Sequence, residues 1–469
     1  MKQYQTFIFD SYSFDEKAGT IELRYSLDDE ITFVETLRFP QALSPAPLSL
    51  RGEGPGVRAA LFALHIIGGI SYFKTCIPKK FEIRSGSLDE EQAKFWNSVY
   101  ENGLGEFFYR NEIDFRGLIN FPHDTKPETR NQKPETKSPI SAPPIHSQKS
   151  QILVPIGGGK DSIVTIELLK KAGYDVTLFR LGHHPYIDYI AHRANLPLLT
   201  VERALPKNLF ELNEQGALNG HVPITAYLSF LSILIAELYG FDAVAMSNER
   251  SANEGNVKFH GKEINHQWSK SLEFEQMFQE YVRENITPTI TYFSLLRPLS
   301  ELAITKKFTE HPAYFEITTS CNKNWRLMKK CLSEERKECP ENGLWCGKCP
   351  KCAFVYCLLG AFLPRTTLDT LFHKNLFNDA ALLSLYRQLL GLEGSKPFEC
   401  VGTPEETKAA FLLAHERGDL DDTNVMQMFL KESFASIKNP KKLIEEVLKP
   451  SSEHAIPKEP EKVLSEFFH

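Results

Sequence analysis

The segment QILVPIGGGKDSIVTIELLKKAG, residues 151–173, places three glycines, a lysine, an aspartate and a serine between an apolar run and an amphipathic stretch. Gly157, Gly158 and Gly159 permit backbone conformations closed to other residues and let the chain come close to a ligand. Backbone N–H groups exposed in such a turn, with the N-terminus of the helix that follows, form an anion site. Lys160 adds a positive charge and Ser162 a hydroxyl, so phosphate is the expected occupant. Asp161 fits beside phosphate only with a magnesium ion between them. The loop is not a Walker A motif, because Val154 stands where that motif needs its first glycine and Asp161 follows the lysine. Nor is it the dinucleotide fingerprint, because Ser162 takes the last glycine position. A plain glycine-rich turn capped by Ser162 is the competing reading, and the strand–loop–helix setting favours phosphate.

The second constellation is cysteine-rich. Seven of the nine cysteines fall between Cys321 and Cys357, and Cys346, Cys349 and Cys352 follow the pattern C-x2-C-x2-C. Three thiolates so spaced can converge on one metal ion, and a fourth from upstream (Cys321, Cys331 or Cys339) completes a tetrahedral site. Structural zinc is the expected occupant, with an iron–sulfur cluster as the alternative, since thiolates serve both. Cys357, on an apolar run, reads as core. Cys76 and Cys400 stand alone.

The elements that position these residues follow from hydrophobic pattern. ILVPI (152–156), DVTLFRLG (175–182), PLLTVE (197–202) and DAVAMSNE (242–249) read as strands. They alternate with helical stretches such as SIVTIELLKKAG and AYLSFLSILIAELYG (226–240), which predicts an α/β fold with a doubly wound parallel sheet over 151–360. Ligands of such sheets bind at the carboxyl ends of the strands, where the glycine loop lies. Residues 1–121 predict an α+β domain, with antiparallel strands at TIELRYSL (20–27) and ITFVETLRF (31–39) and a buried helix at AALFALHIIGGI (59–70). Lys74, Glu106 and Arg110 in this part are candidates for a substrate cleft, against a purely structural role. Residues 122–150 repeat KPET and are dense in proline, as a flexible linker is. Residues 361–469 predict helices at 378–394 and 407–419 and a loosely attached tail.

The chain has 469 residues, 54 Lys and Arg against 60 Asp and Glu, and a net charge of −6. That slight acidity argues against broad nucleic-acid binding. The first residues lack the basic region and apolar core of a secretory signal, and the longest apolar run is too short to span a bilayer. The expectation is a cytoplasmic enzyme with a small-molecule substrate, no nucleic acid and no membrane; oligomeric state is not legible.

GGGKDS resembles the S-G-G-x-D-S loop of the PP-loop ATP pyrophosphatases (adenine nucleotide alpha-hydrolase-like), with Gly157 in place of the usual serine. The resemblance implies that the loop grips the pyrophosphate of ATP, which is cleaved between the α and β phosphates. Related enzymes place a cysteine at a strand end before a C-G-x-C-x-x-C knuckle, which selects Cys321, after FEITT (315–319), as the fourth thiolate. The segments ISYFKTCIP, GLGEFFYRN, PIGGGKDS, MSNERSANEGNV, NHQWSKS, RPLSELAI, WCGKCPKCAFV and KPFECVG together resemble the bacterial UDP-N-acetyl-α-D-muramoyl-L-alanyl-L-glutamate epimerase family. This implies ATP- and magnesium-dependent inversion of the terminal glutamate of UDP-MurNAc-L-Ala-L-Glu through an acyl-adenylate, in peptidoglycan synthesis.

On that resemblance Gly157, Gly158, Gly159, Lys160, Asp161 and Ser162 bind ATP and magnesium, with Lys160 and Asp161 catalytic. Ser247, Asn248 and Glu249, followed by Asn253 and Glu254, face the same crevice. His266, Gln267, Trp268, Ser269 and Arg297 are candidates for nucleotide or substrate contact, Arg297 for phosphate, with Glu301 and Lys306 nearby. The proton-transfer pair is unassigned among His183, His184, His266, Lys306, Cys76 and Cys400. Paired thiols serve opposite faces in cofactor-free racemases; the plainer reading of Cys76 and Cys400 is two small buried hydrophobes. The rivals are a PP-loop enzyme modifying tRNA or a purine precursor, and a nucleotide sensor without turnover.

Overall fold

The computed structural model describes residues 2–40, 54–124, 150–326 and 343–467. Most of the proline-rich segment, together with Cys331 and Cys339, lies outside the described residues.

Alternating apolar residues give three antiparallel strands, β1 (Thr6–Asp15), β2 (Thr20–Leu27) and β3 (Ile31–Arg38), and β4 (Lys80–Ile83) adds parallel to β1. Phe7, Phe9, Leu23, Tyr25 and Phe33 from these strands are fully buried. They share their core with helix α1 (Pro55–Phe73), α2 (Glu90–Gly103) and α3 (Gly105–Arg110). Helix α1 has the length and apolarity to cross a membrane, but 72% of its most apolar window is buried inside the protein. It is the core helix that AALFALHIIGGI predicts.

After residue 150 the strands become nearly continuous apolar runs, because both faces are covered. Strands β5 (Gln151–Pro155), β6 (Asp175–Leu181), β7 (Leu198–Ala204), β8 (Ala243–Met246) and β11 (Thr291–Ser294) are parallel, in the order β11-β8-β5-β6-β7. Between β8 and β11 lies the hairpin of β9 (Val257–Phe259) and β10 (Lys262–Ile264). Its turn residues, His260 and Gly261, both have positive φ (48° and 82°), as a tight two-residue hairpin requires.

Helices α4 (Lys160–Lys171), α5 (Pro185–Ala194) and α9 (Glu301–Phe308) pack into one core with the helices after residue 350. Helices α7 (Ile224–Tyr239) and α8 (Leu272–Asn285) fill the other with α1 and α2, and α6 (Lys207–Glu214) flanks it. Along β5, Ile152 and Val154 enter the first core and Leu153 the second.

One join was not visible in the sequence. Strand β3 pairs antiparallel with β7, Leu37 opposite Arg203, so all nine strands β11-β8-β5-β6-β7-β3-β2-β1-β4 form a single sheet. Beside the join Glu35 is completely buried. It accepts hydrogen bonds from Arg203 Nε (2.8 Å) and Nη2 (2.9 Å) and from the hydroxyls of Tyr72 (2.7 Å) and Tyr227 (2.6 Å). Removing one partner of a buried ion pair strands the other charge, at a cost of about 3–5 kcal/mol. Glu35→Ala is therefore expected to lower the urea-unfolding free energy by about that amount, and an unchanged midpoint would contradict this role.

Two expectations in the C-terminal half are corrected. FEITT does not end a strand: Pro312–Ile317 is a 3-10 helix, where Pro312 and the short run favour tight turns over pairing. The tail is not loose either. Ile456, Pro460 and Leu464 are buried, Ser451 N–H donates to the Pro298 carbonyl (2.8 Å), and Gln279 donates to the Ala455 carbonyl (3.3 Å). Of the expected helices, Pro404–Arg417 forms as one piece, capped by Thr403 and Glu406, whereas 378–394 is broken into short turns and the helix Leu383–Leu389.

Candidate active site

Sheet order reverses between β5 and β8: from β5 the chain winds outward through β6 and β7, then returns to β8 and β11 on the other side. Loops diverging at such a switch point leave a crevice at the strand carboxyl ends. The crevice here is a cavity of about 550 Å³ lined by residues after β5, β6 and β8. Gly157, Gly159, Asp161 and Ser162 form one wall, Gly182, His183 and His184 another, and Ser247 and Asn248 a third. Lys270, Asn322, Trp325 and Lys351 close it from later segments.

Gly158 has φ +82°, and a Cβ there would lie 2.3 Å from the Trp325 ring, which in turn stacks on His184 at 3.5 Å between centroids. Left-handed backbone costs a side chain about 1–2 kcal/mol before any clash. Gly158→Ala is thus expected to displace the loop and to lower the urea-unfolding free energy by at least about 1–2 kcal/mol; an unchanged midpoint would contradict the clash with Trp325.

Ser247 lines this cavity, while its hydroxyl oxygen is itself buried and has no hydrogen-bond partner. Asn248 donates to Ser294 Oγ (3.1 Å), which orients it at the rim. Glu249 is buried and holds Arg297 through its carbonyl oxygen (2.6 Å).

Several expected site residues are placed elsewhere. The Lys160 ammonium does not line the cavity: it is buried and donates to Asp161 and Glu301. At the first turn of α4 its long chain turns under the loop towards α9. Burial opposes its charge, but the two carboxylates hold its pKa raised, while burial lifts Glu301 to about 8 against the pull of Lys160. Arg297 does not meet phosphate. It is fully buried, donating to Glu275 Oε2 (Nε 3.0 Å, Nη2 2.8 Å) and to the carbonyls of Glu249 and Lys270, and so locks together two loops of the site. Lys306 is exposed on α9 and outside the cavity. Trp268 is a packing residue with its Nε1 on Glu273 (3.0 Å). Gln267 and Ser269 are buried beside it, Asn253 accepts from the Leu272 N–H (2.8 Å), and Glu254 is exposed.

A polar cluster stands next to the cavity. Glu106, on α3, accepts from Arg110 and contacts His266 Nδ1, with His221 Nδ1 at 3.4 Å. The His266 ring also interacts with the Cys400 thiol, and Lys270 Nζ lies 3.6 Å from that sulfur. Burial works against charge on His266, but Cys400 and Glu106 raise its pKa to about 9. Burial likewise works against a thiolate at Cys400, yet Lys270, Lys351 and His266 bring it down to about 6. Burial pushes His221 down to about 4. Cys76 differs: it takes a contact from the Thr75 hydroxyl (3.6 Å), and burial raises its pKa. Lys74 is buried, donates to Asn219 Oδ1 (2.7 Å), and is lowered to about 8 by burial.

The second centre is built by Cys321, Cys346, Cys349 and Cys352, whose sulfurs converge. Neighbouring sulfurs are 3.4 Å (Cys349–Cys352), 3.7 Å (Cys346–Cys352) and 3.9 Å (Cys321–Cys349) apart. A tetrahedron with 2.3 Å metal–sulfur bonds has edges of about 3.8 Å, so the donor set fits one ion. Gly347, at φ +63°, turns the knuckle. Cys357 is buried core, as its apolar run predicts. Cys321 and Asn322 line the cavity, so the thiol centre buttresses one of its walls.

His221, Lys270, Trp325 and Lys351 were not singled out by the sequence. Lys270, Trp325 and Lys351 sit within segments already flagged for other residues (NHQWSKS, SCNKNW and CGKCPKC), which was the available signal; nothing local marks His221.

A glycine-loop cavity at the switch point of a mostly parallel nine-stranded sheet, walled in part by a four-thiol centre, defines the protein as an α/β fold. The chain belongs to the MurL family: residues 1–295 match the MurL N-terminal domain and residues 317–443 the MurL C-terminal domain. It is 39% identical over 456 residues to a protein of Xanthomonas oryzae pv. oryzae, covering 97% of this chain and 96% of that one. It is 36% identical over 435 residues to one of Salinispora tropica (92% and 89% covered). A Micromonospora protein is 35% identical over 435 residues (91% and 90%). Each of these relatives is named UDP-N-acetyl-alpha-D-muramoyl-L-alanyl-L-glutamate epimerase.

Proposed function

We propose that this protein inverts the terminal L-glutamate of UDP-MurNAc-L-Ala-L-Glu to D-glutamate, using ATP and releasing AMP and pyrophosphate, in the synthesis of peptidoglycan precursor. The observation that carries the ATP requirement is the strand-end cavity with Gly157, Gly159, Asp161 and Ser162 in its wall.

The chemistry explains why an epimerase needs such a loop. The α-proton beside a carboxylate is hard to remove, because its loss puts a second negative charge next to the first. Transfer of the adenylyl group to that carboxylate cancels the charge and leaves a carbonyl able to accept the electron pair. Every 1.36 kcal/mol removed from the barrier is about tenfold in rate. Water then releases AMP from the inverted product.

The loop N–H groups and Ser162 bind the phosphates at the start of α4. Asp161, half-exposed in the cavity wall, would hold a magnesium ion, whose charge would neutralise that of the phosphates. Lys160 keeps Asp161 and Glu301 in place from beneath. Cys321, Cys346, Cys349 and Cys352 would hold a zinc ion in a structural role.

Incubation with UDP-MurNAc-L-Ala-L-Glu, ATP and magnesium in deuterated water is expected to give AMP and D-glutamate deuterated at the α-carbon. Folded protein that produces neither would sink the reading.

A further inference from the structure

We infer that Cys400 is the group that takes the α-proton, and that His266 and Glu106 position it, a reading that rests on the proposed epimerase activity. Three segments far apart in sequence meet here. Glu106 comes from α3, His266 from the loop after the β9–β10 hairpin, and Cys400 from the connection leading into helix Pro404–Arg417. Glu106 fixes the imidazole at Nδ1 and leaves the rest of the ring for the sulfur. Arg110 on the same carboxylate holds it in turn.

The cluster adjoins the proposed ATP cavity through its neighbours. Lys270, 3.6 Å from Cys400 Sγ, lines that cavity, and so does Asn322, which donates to Glu399, the residue before Cys400, at 3.2 Å. A half-buried ammonium beside a thiol serves two purposes: it stabilises the thiolate, and it faces the carbonyl where negative charge would develop. Among the described residues, the other free thiols outside the four-cysteine centre are Cys76 and Cys357, and burial raises both of these.

The step balances simply. The thiolate lone pair takes the proton, an S–H bond forms, the Cα–H bond breaks, and its electron pair moves onto the activated carbonyl oxygen near Lys270. Collapse of that oxyanion takes a proton from water on the opposite face, and the Cys400 thiol returns its own proton to solvent.

The test separates activation from proton transfer. Wild-type protein, Cys400→Ser and Cys400→Ala are assayed in deuterated water for substrate-dependent AMP release and for deuterium at the glutamate α-carbon. Positioned acid–base groups contribute about 10²–10⁴-fold, so both variants should lose that much deuterium incorporation while AMP release stays within about tenfold. Variants that exchange deuterium at the wild-type rate, or lose AMP release equally, would overturn the assignment.

If both variants melt early, iodoacetamide on the wild-type enzyme replaces them. Peptide mapping should then show Cys400 alkylation tracking the loss of exchange but not of AMP release; exchange surviving full alkylation would overturn the proposal. A wild-type protein that yields neither AMP nor deuterium refutes the epimerase reading itself, which is a distinct outcome.

His266→Gln supplies the readout for positioning. The charged groups facing Cys400 are Lys270, Lys351 and His266, with Glu106 behind the imidazole. Exchange in the wild type should rise with pH through about 6, where the thiolate forms. Losing the imidazole should move that limb towards the ordinary thiol value of about 8.5. A profile left in place would remove His266 from the assignment.

Discussion

Asp161→Asn is expected to lower substrate-dependent AMP release by about 10²–10³-fold while the protein stays folded, an effect comparable to removing one preorganised electrostatic group from an active site. The carboxylate is half-exposed in the cavity wall, one residue into α4, and accepts a hydrogen bond from the buried Lys160 ammonium at Oδ1. A carboxylate beside bound phosphate repels it unless a divalent ion lies between. Asparagine keeps the size and one oxygen but not the charge that holds the ion. Apparent magnesium affinity should fall together with turnover, and added magnesium should restore part of the rate. Wild-type AMP release from Asp161→Asn would place the metal elsewhere.

The second large effect concerns the thiol centre. Metal binding by four converging thiolates contributes about 10–16 kcal/mol in small zinc domains near neutral pH, where the ligands are otherwise free to separate. Three of the ligands sit around the first turn of helix Pro350–Gly360, and the fourth, Cys321, adjoins the cavity wall. Cys352→Ser is therefore expected to reduce bound zinc from one per chain to well below that by elemental analysis, and to cost far more stability than a single core substitution. Limited proteolysis should open the chain after residue 320 first. Cys357→Ser, in the adjoining core, should leave the zinc content at one. Purified wild-type protein carrying two or more irons per chain, with sulfide, would contradict a single-ion site.

What the sequence shows of this fold depends on how local each feature is. Strand, glycine loop and helix at 151–173 are consecutive, so their pattern reads directly, and β2, β3, β5, β6, β7, β8 and α7 lie close to the stretches that predict them. The pairing of β3 with β7 joins residues about 165 positions apart in sequence and leaves no local signal. Burial of Arg297 was equally hidden. Arg297 in RPLSELAI is a sequence candidate for phosphate, but Glu275 on α8 takes the guanidinium, a choice made by tertiary packing. Lys160 is the same case: its position in the loop predicts a phosphate contact, and Glu301 on α9 draws it away.

The polar cluster sits between these extremes. His266, Glu106 and Cys400 were each visible as residues with suitable chemistry, but on separate lines of reasoning. Cys400 was weighed as a partner of Cys76, whereas the fold sets it against His266 and Lys270. Only the folding of α3 against the β9–β10 hairpin makes a constellation of them.

In the proposed reaction the glutamate carboxylate is activated by adenylyl transfer before its α-proton leaves. Substrate carrying 18O in the carboxylate next to the α-carbon tests this directly, with the released AMP analysed by mass spectrometry. The account predicts AMP carrying one 18O from the substrate, formed alongside D-glutamate. D-glutamate formed with no label in AMP, or without any AMP, would contradict it.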